Sequence, residues 1–198
     1  MRTETRGSSA TDTPTRRSRR TRLETPSSAA RNPEKARPPT TGNDRRKEST
    51  FLVTHVESDS AVLKDVHDGQ VHTLSSNPGL AVDDALEATV VPDPPMEVTY
   101  QVVEVAERRS LSIEESDEPP TVHERELAAE TETGELAREE RAGVGEIHVL
   151  TPPEEDTADA VADVIDDREA TLSRAARLGV NRVEVRSEPG VVSVRYMP

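Results

Sequence analysis

The sequence predicts an α+β fold: a small five-stranded β-barrel, OB-like or SH3-like, followed by a small β-α-α-β-β domain and preceded by a disordered tail. Three observations lead to this prediction. Residues 1–48 show no apolar periodicity, residues 49–116 contain short alternating apolar runs between turn formers, and residues 146–198 change to helical spacing and then to a hairpin pattern. Residues 117–145 join the two domains as an acidic, partly helical linker.

The tail, residues 1–48, consists mainly of Thr, Ser, Pro and Arg, and Leu23 is its only large aliphatic residue after Met1. Such a segment cannot bury enough apolar surface to offset its chain entropy. We therefore expect it to be disordered and dispensable for folding.

The barrel, residues 49–116, is predicted from five apolar runs. They cover residues 51–56, 61–66, 71–74, 86–91 and 97–107, and the last run has a potential extension to Ile113. Asp68-Gly69, between the second and third runs, is a strong hairpin signal. Five short strands with one irregular excursion between the third and fourth suit a small closed barrel.

The linker contains Thr121 followed by Glu124, which is a capping-box pattern and predicts a short helix to about Ala129. A second helical turn is expected over residues 136–141. The linker is interpreted as a solvated tether rather than a binding surface.

The second domain begins with a predicted strand over residues 147–150. Val161, Val164 and Ile165 share one face of a predicted helix. A second helix is expected over residues 167–178, with Asp166 and Glu169 as its capping box and Gly179 as its C-terminal cap. The terminal hairpin has its turn at residues 188–190.

Arginines give the terminal hairpin the only local cationic excess in the predicted ordered region. Arg182, Arg186 and Arg195 are expected on the open sheet face, with Arg174 and Arg177 near its rim. Arginine pairs bidentately with carboxylate or phosphate. Two interpretations stay open: an anion-binding surface, or an interdomain contact with the acidic middle segment, which we prefer.

Charge is distributed very unevenly along the chain, whose net charge is −14. Residues 1–48 carry 13 basic against 6 acidic side chains, residues 49–167 carry 6 against 30, and residues 168–198 carry 6 against 3. Only 3 of the 25 basic residues are lysine. A carboxylate-rich, lysine-poor surface is typical of a protein in a highly saline cytoplasm, where the Debye length is about 3 Å or less.

Sequence motifs do not indicate an enzyme. No nucleophile elbow, phosphate-binding loop, dinucleotide fingerprint or zinc-protease motif occurs, and the absence of cysteine excludes disulfides and thiolate metal sites. His55, His67 and His72 fall near one hairpin but are expected on different strands and a turn, so we predict no metal site, no cofactor and no catalytic residue.

Nucleic-acid binding is open for an OB-like barrel but is not favoured. Single-strand binders stack bases on aromatic rings beside a basic groove. The barrel segment has only two rings, Phe51 and Tyr100, which we expect in its core, and three cations, Lys64, Arg108 and Arg109. In addition, phosphate contacts weaken steeply as salt rises.

A non-catalytic interaction or regulatory module, with a still unknown protein partner, is therefore the favoured interpretation. No apolar run approaches the roughly 20 residues that span a bilayer. We expect a soluble cytoplasmic protein with no membrane partner.

Three stretches carry a resemblance to a known family: residues 68–80 (DGQVHTLSSNPGL), 140–150 (ERAGVGEIHVL) and 176–198 (ARLGVNRVEVRSEPGVVSVRYMP). Together they look like an uncharacterised family of halophilic archaea, a domain of unknown function. The resemblance covers about residues 49–198 and excludes the tail. It implies a halophilic cytoplasm and supplies no activity or site residue.

Overall fold

Strands β1 to β5 form a closed barrel in the computed structural model, which describes residues 45–198. Their bounds are β1 Lys47–Val56, β2 Ala61–Asp65, β3 Val71–Leu74, β4 Asp84–Pro92 and β5 Tyr100–Ser110. The order around the barrel is β1-β2-β3-β5-β4, and β4 also pairs with β1. All pairs are antiparallel except β3 with β5, which run parallel where Leu74 lies opposite Tyr100. This Greek-key order is that of an OB-type barrel.

One side of each strand fills the barrel interior, as the alternation of apolar residues predicted. Its most buried members are Phe51, Val53, Leu63, Leu74, Leu86 and Val90, each at most 1% exposed. The hairpin between β2 and β3 turns at Gly69, whose φ of +75° favours glycine. Because side chains alternate across a strand, Leu52 and Ala85 face outward from the barrel, yet both are buried.

The remaining strands form a second, five-stranded sheet. Their bounds are β6 Ser112–Glu115, β7 Leu136–Glu140, β8 Glu146–Leu150, β9 Arg182–Glu188 and β10 Val191–Met197. The order is β6-β9-β10-β8-β7, with β6 parallel to β9 and the other pairs antiparallel. Gly145 permits a close approach before β8, since a Cβ there would lie 2.1 Å from the carbonyl oxygen of Tyr196.

Three α-helices cover this sheet: α1 Val122–Ala129, α2 Thr157–Asp166 and α3 Arg168–Arg177. The predicted capping box of α1 is present, because the Thr121 N–H donates to Glu124 Oε2 at 2.6 Å and the Glu124 N–H donates to Thr121 Oγ1 at 3.3 Å. α2 and α3 pack on the face that carries Val183 and Val185, and α1 contacts β8 and β10. The predicted α+β class is confirmed.

The cap of α3 differs from the predicted one. Asp167, not Asp166, caps the helix by accepting a hydrogen bond from the Ala170 N–H at 3.4 Å. α2 extends through Asp166. Asp167 is therefore the first residue whose side chain is free to cap α3. Gly179 follows the helix with φ +71°, which agrees with the predicted C-terminal cap.

Two strands of the second sheet come from segments that were predicted otherwise. The last barrel strand ends at Ser110, and residues 112–115 leave the barrel to pair with β9. Residues 136–141 were expected to form a helical turn, but β7 pairs with β8 instead. Its sequence, LAREE, has no β-branched residue, so tertiary pairing overrides the local helical preference.

The barrel and the second sheet share one hydrophobic cluster. On the barrel side it contains Leu52, Val66, Ala85 and Leu111, and on the helix side Leu172, Ala175 and Ala176, all buried. Residues 45–198 accordingly belong to one compact unit. α3 is the element that joins the two sheets.

Most of the predicted tail lies outside the described residues. β1 begins at Lys47, slightly before the predicted start of the barrel at residue 49. The prediction of disorder concerns residues 1–48, of which residues 1–44 lie outside the described residues, and Lys47 and Glu48 belong to β1 instead. None of the helices in residues 45–198 has both the length and the apolar content needed to cross a membrane.

Candidate functional site

Arg182, Arg186 and Arg195 lie on one face of the second sheet, which we call the arginine face. Arg182 and Arg186 alternate with Val183 and Val185 along β9, and Arg195 on β10 lies opposite Glu184. The valines point to the other face, under α2 and α3. The three arginines therefore share a side of the terminal hairpin, as the alternation predicted.

Glu184 lies between these arginines and is only 8% exposed. Arg195 Nη1 donates a hydrogen bond to its Oε1 at 2.9 Å, Arg186 Nε donates to the same oxygen, and Arg182 Nη2 lies 3.4 Å from Oε2. Burial by itself would raise the pKa of Glu184, but the hydrogen bonds and charges of Arg186 and Arg195 outweigh it and lower that pKa. The carboxylate is thus held ionised at neutral pH.

Two more carboxylates reach the arginine face from the segment around α1. Glu124 is fully buried, and its Oε1 lies 3.2 Å from Arg195 Nε without forming a hydrogen bond. Glu118 Oε2 lies 2.6 Å from Arg186 Nη2. The side chains of Arg186 and Arg195 are only 12% and 16% exposed, so these contacts leave little guanidinium surface for an outside ligand.

Arg174 and Arg177 are not near the rim of the arginine face, and that expectation is wrong. Both lie on α3, which packs on the opposite side of the sheet. Arg174 Nε donates a hydrogen bond to Glu146 Oε2 at 3.1 Å, and Arg177 Nη1 donates one to the Val66 carbonyl at 3.0 Å. The register of α3 against the sheet decides this placement, and helical spacing alone does not give that register.

The two aromatic rings of the barrel lie in its core or pack against it. Phe51 is fully buried, and Tyr100 packs against the barrel core. His72, 3% exposed, lies between them with ring-centroid distances of 5.6 Å to Phe51 and 4.5 Å to Tyr100. The expectation of a core position is confirmed for Phe51, whereas Tyr100 is only partly buried against that core.

The barrel cations are all engaged by other parts of the chain. Lys64 pairs with Glu169, and Arg108 Nη2 lies 2.7 Å from the buried carboxylate of Asp84. Arg109 Nη1 donates to the Val180 carbonyl at 3.1 Å. Lys64 and Arg109 stabilise the contact of the barrel with α3 and the residue Val180 that follows it, and Arg108 stabilises the start of β4. Together these cations do not form a basic groove.

The three histidines near the first hairpin are in different environments. His55 is exposed beside Glu57, His67 lies in the turn after β2, and His72 is in the barrel interior. No group of three His, Asp or Glu side chains within residues 45–198 is arranged to hold a metal ion.

The side of β5 that faces away from β4 is an open sheet edge, which we call the β5 edge. β4 pairs along β5, whereas β3 pairs with it only at Tyr100. No main-chain hydrogen bond joins the other side of residues 101–109 to any residue in the described region. Val103 and Val105 are 47% and 46% exposed on this strand.

An acidic groove runs beside the β5 edge over the outer faces of β1, β4 and β5. It has a volume of 540 Å³, and its side chains include Glu48, Thr50, His67, Glu87, Thr89 and Glu104. Two register shifts in the pairing with β4 bend the strand here. Sequence reasoning did not find this edge, because only the strand order reveals which neighbour β5 lacks.

Comparison with known proteins identifies one family. No curated protein and no solved structure is detectably similar to the chain. The model of a family of unknown function (DUF5812) matches residues 47–187, from the first residue of β1 into β9. The match contains the whole barrel, all three helices, Arg182 and Arg186. The chain therefore belongs to this family of unknown function.

Proposed function

We propose that this protein is a non-catalytic interaction module that binds an extended segment of a partner protein by strand addition along the β5 edge. The observation that carries the proposal is the row of unpaired main-chain groups over residues 101–109. Such an edge is a template for an added strand, whose main-chain hydrogen bonds supply affinity.

The side chains beside the β5 edge indicate what kind of strand fits. On the outer face of the sheet an added strand lies next to Glu104 of β5, at one side of the acidic groove, whereas Glu87 on β4 and Glu48 on β1 lie one and two strands farther away. On the other face it meets Val102 and Val105. Successive side chains of a strand alternate between these faces. The partner segment therefore has basic residues at alternate positions and apolar residues between them.

The carboxylates of the described region support a non-catalytic role. Its buried carboxylates each have a partner beside them: Asp65 with Lys47, Asp84 with Arg108, and Glu124 and Glu184 with Arg195. Burial opposes ionisation of Asp65, but the Lys47 ammonium and nearby N–H groups lower its pKa to about 2. With their pKa values lowered, Asp65 and Glu184 are structural anions rather than proton donors at neutral pH.

The charge pattern supports a halophilic cytoplasm as the place of action. Residues 49–167 carry 30 acidic against 6 basic side chains, and lysine is scarce throughout the chain. Salt near saturation screens such carboxylate crowding. In that solvent apolar contacts and main-chain hydrogen bonds, the contacts that strand addition uses, keep their strength better than phosphate contacts do.

Binding of single-stranded nucleic acid is the second candidate, because the strand order is that of an OB-type barrel, a fold that binds oligonucleotides. The surface that OB-type barrels usually use for oligonucleotides is the outer face of β2 and β3. In this protein that face has Val62, Lys64, Val71 and Thr73, and Lys64 pairs with Glu169. Of the two rings that could stack on bases, Phe51 is fully buried and Tyr100 is partly buried against the core. We therefore rank it below protein binding.

The test uses the full-length protein and a short peptide in which valine and lysine alternate. We expect the peptide to slow hydrogen exchange of those amides of residues 101–109 that point away from β4, because an added strand accepts hydrogen bonds from them. Substitution of Val103→Lys together with Val105→Lys should abolish this protection, since it removes both exposed valines of the β5 edge and the new lysines repel the peptide.

The matched control is Val82→Lys together with Val144→Lys. These valines are 50% and 53% exposed, similar to the edge pair, but belong neither to β5 nor to the lining of the acidic groove. This control should bind as the wild type does. A peptide of alternating valine and glutamate should bind more weakly, and the difference should shrink as salt rises, because salt screens the charge of the acidic groove. Unchanged amide exchange over residues 101–109 with the lysine peptide would refute the proposal.

A further inference from the structure

A small basic pocket lies between α3 and the second sheet, on the opposite side of that sheet from the arginine face. Its side chains come from four elements: Arg138 on β7, His148 on β8, Tyr196 on β10, and Thr171, Arg174 and Arg177 on α3. The volume is 250 Å³. Three arginines converge here although the chain has a net charge of −14.

Two of the three guanidinium groups have no carboxylate partner within residues 45–198. Glu146 pairs with Arg174, and its Oε2 also lies 2.8 Å from His148 Nε2. Arg138 makes no ion pair and no side-chain hydrogen bond to any residue of the described region, and Arg177 donates only to the Val66 carbonyl. The pocket thus has two uncompensated positive charges.

Tyr196 and His148 form the apolar wall of the pocket and add polar groups to it. Their rings pack at a centroid distance of 4.9 Å, and Tyr196 is 5% exposed. Tyr196 lines the pocket, and its hydroxyl makes no hydrogen bond to another residue within 45–198. Burial raises the pKa of Tyr196, so the hydroxyl remains a hydrogen-bond donor at neutral pH.

We propose that this pocket binds the phosphate group of a small molecule, with Arg138, Arg177 and the Tyr196 hydroxyl as its donors. The planar guanidinium donates two parallel hydrogen bonds and matches the oxygens of a phosphate. Glu146 fixes Arg174 and so keeps one side of the pocket in place. Liquid water occupies about 30 Å³ per molecule, so a pocket of 250 Å³ has room for a phosphate group.

This site is independent of the β5 edge. The pocket lies on α3 and the second sheet, whereas the edge lies on the barrel. A phosphate ligand here would be compatible with a partner strand on the barrel. Failure of either proposal therefore leaves the other standing.

The test is titration of the full-length protein with inorganic phosphate at constant ionic strength, followed by calorimetry and by backbone amide chemical shifts. We expect shifts centred on Ala170, Thr171 and Tyr196. Arg138→Gln should weaken binding at least about tenfold, because it removes a charge-assisted hydrogen bond from an exposed side chain that stabilises nothing else. Tyr196→Phe should weaken it by a smaller factor.

Arg141→Gln is the matched control, since Arg141 follows β7, has no ion pair and does not line the pocket. It should bind phosphate as the wild type does. Glycerol phosphate distinguishes the sources of the group: tighter binding than inorganic phosphate indicates a phosphate ester, and weaker binding indicates the free ion. The proposal would be overturned if neither probe binds or if chemical shifts change only in the basic tail. It would also be overturned if Arg138→Gln and Arg141→Gln lose affinity equally. Malonate binding as tightly as phosphate would overturn the choice of phosphate over carboxylate.

Discussion

Arg177 on α3 donates a hydrogen bond from Nη1 to the main-chain carbonyl of Val66 at 3.0 Å, which joins the helix layer of the second sheet to the barrel. Val66 itself belongs to the hydrophobic cluster shared with Leu172 and Ala176. Arg109 makes the reciprocal contact from the barrel, donating to the carbonyls of Val180 and Ala176. The barrel and the sheet are therefore coupled through α3 by apolar packing and by arginine contacts in both directions.

Leu172→Ala should lower the free energy of unfolding by about 2–5 kcal/mol, because Leu172 is fully buried in the shared cluster. Since this cluster belongs to both parts, barrel and sheet should still unfold in one transition. Urea titrations followed by far-ultraviolet circular dichroism and by Tyr fluorescence measure this. Leu136→Ala, at a side chain that is 40% exposed, is the control and should change stability by less than about 1 kcal/mol. Two separate transitions, with the barrel unaffected, would contradict the prediction.

Replacing Arg182, Arg186 and Arg195 together with Ser should release α1 from the sheet. The change leaves Glu184 and Glu124 buried without cations, and breaking one buried ion pair in this way typically costs about 3–5 kcal/mol. We expect faster hydrogen exchange in residues 118–129 and a larger radius of gyration by small-angle scattering. Arg182→Ser alone, at a side chain that is 46% exposed, should have little effect. An unchanged radius would instead favour an external anion or partner for these arginines.

His72 should make the barrel sensitive to mild acid. Both ring nitrogens are buried without a hydrogen-bond partner, and burial lowers the pKa of His72 below its ordinary 6.5. The unfolded chain therefore binds a proton first, so the free energy of unfolding is highest above pH 6.5 and falls as the pH drops below it. His72→Leu should flatten this dependence, whereas His55→Gln, at an exposed side chain, should not. If the free energy of unfolding depends on pH with the same slope in the wild type and in His72→Leu, this role of His72 is refuted.

Low salt should loosen or unfold the protein. Many carboxylates of residues 49–167 have no cation beside them to balance their charge, since that segment has 30 acidic against 6 basic side chains. At about 0.1 M salt the Debye length reaches about 10 Å, and these carboxylates repel one another. A circular dichroism titration from molar to low KCl should show loss of strand and helix signal. A flat titration would contradict both this expectation and the proposed halophilic environment.

Local signals were sufficient for most of the elements. Alternating valines, the Asp68-Gly69 turn and the Thr121/Glu124 capping box each specify a structure through contacts within a few residues, and all three are present. β7 was missed because its sequence prefers a helix and only its pairing with β8 makes it a strand.

Sites that depend on distant segments were less accessible from the sequence. The common side of the three hairpin arginines follows from strand alternation alone. Strand alternation does not predict that Glu118 and Glu124 are the partners of these arginines, because that depends on where α1 packs. The basic pocket joins Arg138 to Arg177 across strands and a helix, and Arg138 was in a segment interpreted as a tether.

The most direct test of the proposed function is a comparison of two labelled ligands on the full-length protein by fluorescence anisotropy. One is the peptide of alternating valine and lysine, and the other is a single-stranded RNA of similar length. At about 2 M KCl, where phosphate contacts of the basic tail are weak, we predict binding of the peptide and no detectable binding of the RNA. Micromolar binding of the RNA, with no binding of the peptide, would contradict the account and make the barrel a nucleic-acid-binding domain.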